Sequence, residues 1–219
     1  MYPRRHAMPR LFSIRPGLTL KGRKFKGLRG WAGKPFHPPL TDVPIGAYTL
    51  AAAFDFISWL NGVDGVVAVG SFVSEIPDPG SWTFNLGGDL YKAATYCLIA
   101  GAIAAVPTAL TGFWDWWKST PKHTQAWRTA NWHMAVMLTA QVLVIVLIIF
   151  RLSIDLQPHT PFGFLLFSVG IFALVAFGAT YGGSLVYDYE FNVEQDNPEV
   201  WSPSETDKLP GAKDDPPTT

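Results

Sequence analysis

The sequence predicts an all-α fold, a polytopic membrane four-helix bundle with extended N- and C-terminal tails. Three observations predict it. Four windows, about 43–60, 88–112, 126–150 and 162–187, are nearly free of charge, and each approaches the ~20 residues a helix needs to cross hydrocarbon. Thr129 to Phe150 contains no Lys, Arg, Asp or Glu and closes on an unbroken apolar run from Val142 to Phe150. The third observation is where the cations fall. A composition of 48% hydrophobic and 16% charged residues would also suit a soluble domain with a large core, so distribution decides.

Residues 1–34 form a basic arm carrying ten Lys or Arg. Lys118, Lys122 and Arg128 follow between the second and third spans, and Lys208 and Lys213 lie in the tail. With four spans these pieces share one side of the membrane, leaving only Lys92 and Arg151 for the other. The positive-inside rule then places both termini in the cytoplasm. The arm suits anionic headgroups or a partner subunit; beside a membrane anchor, nucleic acid is not expected as a partner.

The first span opens at Lys34-Pro35-Phe36-His37-Pro38-Pro39-Leu40-Thr41-Asp42-Val43-Pro44. Prolines lack a backbone donor, so Pro38 and Pro39 are expected to keep the approach extended and Pro44 to sit in the first helical turn. Beyond this span, Asn61 to Ser81 is Gly-rich, with a turn signal at Pro77-Asp78-Pro79-Gly80 and a short apolar piece from Val66 to Val73. Trp114 to Gln125 reads as the loop between spans two and three, and Asp155 to Pro161 as the turn between three and four. The bundle is expected over 35–189, and residues 190–219 read as an acidic, Pro-rich cytoplasmic tail. No internal repeat is apparent.

Small or polar stripes mark the faces expected to pack together: Ala47, Ala51, Asp55, Ser58 and Gly62; Gly101, Ala105, Thr108 and Gly112; Ala126, Ala130, His133, Met137 and Gln141; and Gly170, Ala173, Ala176 and Gly183. Topology brings His37, Asp42, Asp115, His133 and Tyr187 to one end, the cytoplasmic one. The plain reading is a structural polar cluster tying loops and helix ends. A sharper one makes His37 and His133 axial ligands of haem b, or the lining of a quinone site. A zinc site is not demanded by the spacing, and no metal centre is expected. Asp55, deep in the first span, needs a partner, and Lys92 is the nearest expected cation. Cys97 is the sole cysteine, so neither an internal disulfide nor a cysteine-based metal site can form.

The run from Gly33 to Gly46, Asp55, Pro107, Thr111-Gly112-Phe113-Trp114-Asp115-Trp116, His133 and Gly182-Gly183-Ser184-Leu185-Val186-Tyr187 resembles the domain-of-unknown-function 2231 family of bacterial four-span proteins over about residues 30–193. That resemblance implies a bacterial inner (cytoplasmic) membrane. Some members are fused to Rieske-type iron–sulphur domains, which implies a redox or quinone-related setting for those. Asp188-Tyr189-Glu190 departs from the basic residue and glycine that members often carry there.

The chain offers no nucleophile–base pair, P-loop or dinucleotide fingerprint, and therefore no catalytic residues. Its tails of opposite charge suit a non-catalytic auxiliary subunit that stabilises a larger membrane complex, such as a respiratory or photosynthetic one. The alternative is a small membrane redox protein holding haem b or quinone at the cytoplasmic end. Solute transport is weaker, with only Asp55, Gln141 and His133 to line a path.

Overall fold

The computed structural model describes residues 18–19, 23–24, 26–28, 35–63 and 86–191. Four helices dominate them: α1 (His37–Leu60), α2 (Leu86–Ser119), α3 (Gln125–Leu152) and α4 (Phe162–Tyr187). All four are long and apolar enough to cross a membrane. At most 33% of the most apolar stretch of any helix is buried inside the molecule, so most side chains, Ile103, Leu110 and Val142 among them, face outward into what must be lipid. In the arm, Leu18–Thr19 pairs antiparallel with Arg23–Lys24. Nearly all of the acidic tail, and the apolar piece and turn signal between α1 and α2, lie outside the described residues.

α1 packs chiefly on α2, and α3 on α4, with weaker contacts closing the ring between the two hairpins. α1 and α3 therefore stand on one diagonal and run in the same direction. The core between them is small and apolar: Ala51, Ala94, Leu98, Ala140, Val144, Leu147, Ile171 and Val175, with Tyr48 at one edge. Gly101 lets the Tyr48 ring lie against α2, since a Cβ there would come within 2.5 Å of Tyr48 Cε1. The Tyr48 hydroxyl donates to Gln141 Oε1 at 2.6 Å, so this buried phenol is satisfied.

Two boundaries differ from the sequence reading. α1 begins at His37 rather than near 43, so Pro38 and Pro39 lie inside its first turn instead of in an extended approach, and Pro44 lies in the helix interior. The first-turn amides of a helix have no intrahelical acceptor, so proline there sacrifices no bond. α2 runs on to Ser119, taking in Trp114 to Lys118, which the sequence reading assigned to a loop. What remains as linker is short, and Thr124 ends it by accepting from Trp127 N at 3.2 Å as the N-cap of α3.

The small-residue stripe fits α1, α2 and α3 but not α4. There Leu165, Ser168, Ile171, Val175 and Gly178 turn inward, while Gly170, Ala173 and Ala176 are exposed. In lipid, outward and inward faces are both apolar, so a helix as uniformly apolar as α4 carries little information about which face packs.

Candidate functional site

The site is assembled from an irregularity in α1. Pro44 has no N–H to offer the Leu40 carbonyl four residues back. The Thr108 hydroxyl on α2 lies 3.0 Å from that carbonyl and shares its proton with the Ala104 carbonyl at 2.9 Å. This contact fixes α1 against α2 and sets His37 beside Thr108. His37 Nδ1 then bonds the Thr108 carbonyl at 2.9 Å. Gly112, one turn on, leaves room for the imidazole: a Cβ there would lie 2.5 Å from His37 Cε1.

The second hairpin repeats the arrangement. His133 on α3 bonds the Gly178 carbonyl on α4 through Nδ1 at 2.9 Å, and Gly182, one turn on, lies beside its ring. A carbonyl offers only lone pairs, so Nδ1 carries the proton in both rings, and Nε2 of each neutral imidazole keeps its lone pair. The two ring centroids are 6.4 Å apart at an interplanar angle of 80°. That separation also falls within the range of an edge-to-face aromatic pair. The carbonyl anchors say more than the distance does, because a packing pair needs no fixed tautomer. Histidines that bind metal, by contrast, donate their other N–H to a carbonyl or carboxylate.

Among the described residues no group of three His, Cys, Asp or Glu could hold an ion. Among the described residues the two imidazoles stand without a third ligand, short of the three or four protein ligands of a zinc site, and a haem iron is the kind of centre that two such donors could hold.

The rest of the expected polar cluster does not assemble. Asp42 is exposed, and Tyr187 is 81% exposed. Asp42 follows His37 by five residues, which turns it about 140° around the helix, away from the bundle. Asp115 is buried but serves the arm, its Oδ1 accepting from Leu28 N at 2.8 Å. Lys26 N donates to Ser119 Oγ at 3.1 Å, and Phe36 N to the Leu28 carbonyl at 3.2 Å. The arm thus runs along the last turns of α2, where α1, starting level with Thr108, provides no wall.

Asp55 pairs with Arg151 and not with Lys92. Lys92 instead lies 3.5 Å from Asp89, three residues before it, with both side chains nearly half exposed. Asp55 and Arg151 are both fully inside, at 0% and 3% exposure. Thr160 Oγ1 donates to Asp55 Oδ1 at 2.9 Å, and Arg151 Nη1 to Thr95 Oγ1 at 3.1 Å. The guanidinium also lies over the Tyr91 ring at 4.9 Å. A planar fork with five donors can satisfy a buried carboxylate and its neighbours together, whereas a lysine near the span's end reaches water more cheaply. The signal for this partner was present in the sequence as a spacing: Asp55 follows His37 by eighteen residues, and Arg151 follows His133 by eighteen.

No curated protein and no solved structure matches the chain. Residues 33–195, which span the histidine site and the buried ion pair alike, match the model of a family described as a predicted membrane protein (DUF2231), and the chain belongs to that family.

Proposed function

We propose that this membrane protein is a small electron carrier that holds haem b between His37 and His133. The observation that carries the reading is the pair of imidazoles 6.4 Å apart, each with its Nδ1 on a backbone carbonyl of its own hairpin partner. A haem bound there would supply one-electron chemistry. His37 and His133 would ligate, the Thr108 and Gly178 carbonyls would hold their tautomers, and the apolar core beyond would exclude water. A quinol headgroup donating its hydroxyl protons to the two Nε2 lone pairs is the nearest competing occupant.

The auxiliary-subunit reading is kept as a second proposal. It draws on the arm, whose Lys26 and Leu28 amides are seated on Ser119 and Asp115, and on the excess of cations that argues for a cytoplasmic arm and tail in the bacterial inner membrane. The two readings are compatible, since a carrier can sit within a larger complex.

Purification of the full chain from cells supplied with haem tests the first reading. The expected result is a Soret band with a sharp low-spin α band on reduction, lost in His37→Ala and in His133→Ala. A colourless protein, or a band unmoved by either substitution, sinks it. Recovery of stoichiometric partner proteins from mild-detergent extracts tests the second, and a lone monomer would count against it.

A further inference from the structure

We propose that the buried Asp55–Arg151 pair is a positioning device for the two histidines, fixing the axial register of α1 against α3 from the opposite end of the bundle; the inference rests on the haem reading of the site. His37 and Asp55 are eighteen residues apart on α1, and His133 and Arg151 eighteen apart on α3. That is about five full turns and about 27 Å, so each helix presents its histidine and its charge on one face. The histidine pair and the ion pair therefore meet across the same two diagonal helices, one near each edge of a hydrocarbon layer about 30 Å thick.

Midway between these two pairs one further polar contact joins α1 to α3, the Tyr48 hydroxyl on Gln141 Oε1 at 2.6 Å, and the rest of the interface is apolar. α1 and α3 each pack mainly on their own hairpin partner, and the core between them is built of Ala51, Ala140, Val144 and similar apolar side chains. In lipid such surfaces have no hydrophobic reason to prefer one axial offset. A slip of one residue shifts a helix about 1.5 Å and turns it about 100°. Metal–ligand distances tolerate only about 0.2 Å. Fixing register is the best-attested role of buried polar pairs, which contribute little to stability for their desolvation cost.

The network around the pair points the same way. The Thr160 amide donates to Ser58 Oγ at 2.8 Å, and Ser58 Oγ donates to the Gly87 carbonyl at 2.7 Å. The knot thus draws α1, α2, α3 and the turn before α4 to one level. Yet Arg151 Nε and the Tyr91 hydroxyl, both buried, find no hydrogen-bond partner among the described residues.

The test compares the wild-type chain with Asp55→Leu/Arg151→Met, which removes both charges and strands neither, each loaded with haemin in detergent. The double variant is expected to keep its helix content and melting temperature while its haem affinity falls about tenfold, the size typical of lost outer-shell support, and part of the haem turns high-spin. An unchanged low-spin spectrum and affinity overturn the proposal. If the double variant does not fold, Asp55→Glu/Arg151→Lys keeps the charges but alters the reach of both side chains. Its ferric resonance spectrum should shift, and an identical one overturns the proposal.

A haem-free arm separates this inference from the functional reading. Spin labels at the exposed positions Leu50 and Val142, in a Cys97→Ser background, report the α1–α3 distance. Removing the Asp55–Arg151 pair should broaden that distance distribution. A distribution as narrow as in the paired protein overturns the proposal, whether or not the wild-type chain takes up haem.

Discussion

Gly112 and Gly182 decide how near each imidazole can approach the helix that anchors it. A Cβ at Gly112 would meet His37 Cε1 at 2.5 Å, closer than any neighbour tolerates, whereas at Gly182 the nearest contact is 3.1 Å. Gly112→Ala is therefore expected to push His37 off the Thr108 carbonyl and cost about 1–3 kcal/mol. Gly182→Ala should cost less. Gly46→Ala is the control: nothing lies within 4 Å, and alanine is favoured in a helix by up to about 1 kcal/mol. Thermal unfolding of the three variants in detergent checks the order. At this scale the sequence was informative about residue type and poor about direction. His37 and His133 could be singled out as ionisable groups at one end, but Asp42 and Tyr187 share that end and face away. Topology gives a residue its depth; the angle around the helix requires knowing which face packs.

Among the elements, α1 is the most instructive, because it contains its own defect. Pro44 frees the Leu40 carbonyl, and the Thr108 hydroxyl of α2 compensates at 3.0 Å. Thr108→Val keeps the shape and removes that donor, so it should destabilise by about 1–2 kcal/mol. In a Pro44→Ala background the backbone supplies the missing N–H, and the same substitution should cost less than half as much. A double-mutant cycle on unfolding free energies measures the difference; equal costs in both backgrounds would show that the hydroxyl does not serve the proline gap. This element also explains the boundary missed in the sequence. Prolines at 38 and 39 look like a barrier to helix when read one by one, but the first turn has no amide bonds to lose. In α4 the reading failed for the opposite reason, since a helix apolar all round gives no phase to read.

The whole molecule is two helical hairpins that meet along a diagonal, with a histidine pair toward one end and an ion pair toward the other. Four crossings would put both termini on one side, and the proposal that this side is the cytoplasm rests on the concentration of Lys and Arg in the arm, the α2–α3 linker and the tail. Reporter fusions at either terminus should therefore fluoresce as cytoplasmic proteins and show no periplasmic phosphatase activity. A periplasmic signal from either one would reverse the orientation and move the histidine pair to the outer face. Breaking the ion pair on one side only is a different matter from removing it. Arg151→Met leaves the Asp55 carboxyl in the core without its cation, and should cost about 3–5 kcal/mol, while the double apolar variant stays near wild type in melting temperature.

The sequence by itself determined the number of spans, their approximate limits and the end at which the histidines lie. It could do so because hydrocarbon thickness is fixed and charge is excluded from it, so length and hydropathy suffice. The tertiary structure alone decided the partners: His37 with His133 across the diagonal, Asp55 with Arg151 rather than Lys92, Asp115 with the arm, and the packed face of α4. Those choices depend on the axial offset and rotation of one helix against another. In a solvent as apolar as the core, hydropathy does not encode either quantity, and a few polar contacts set both.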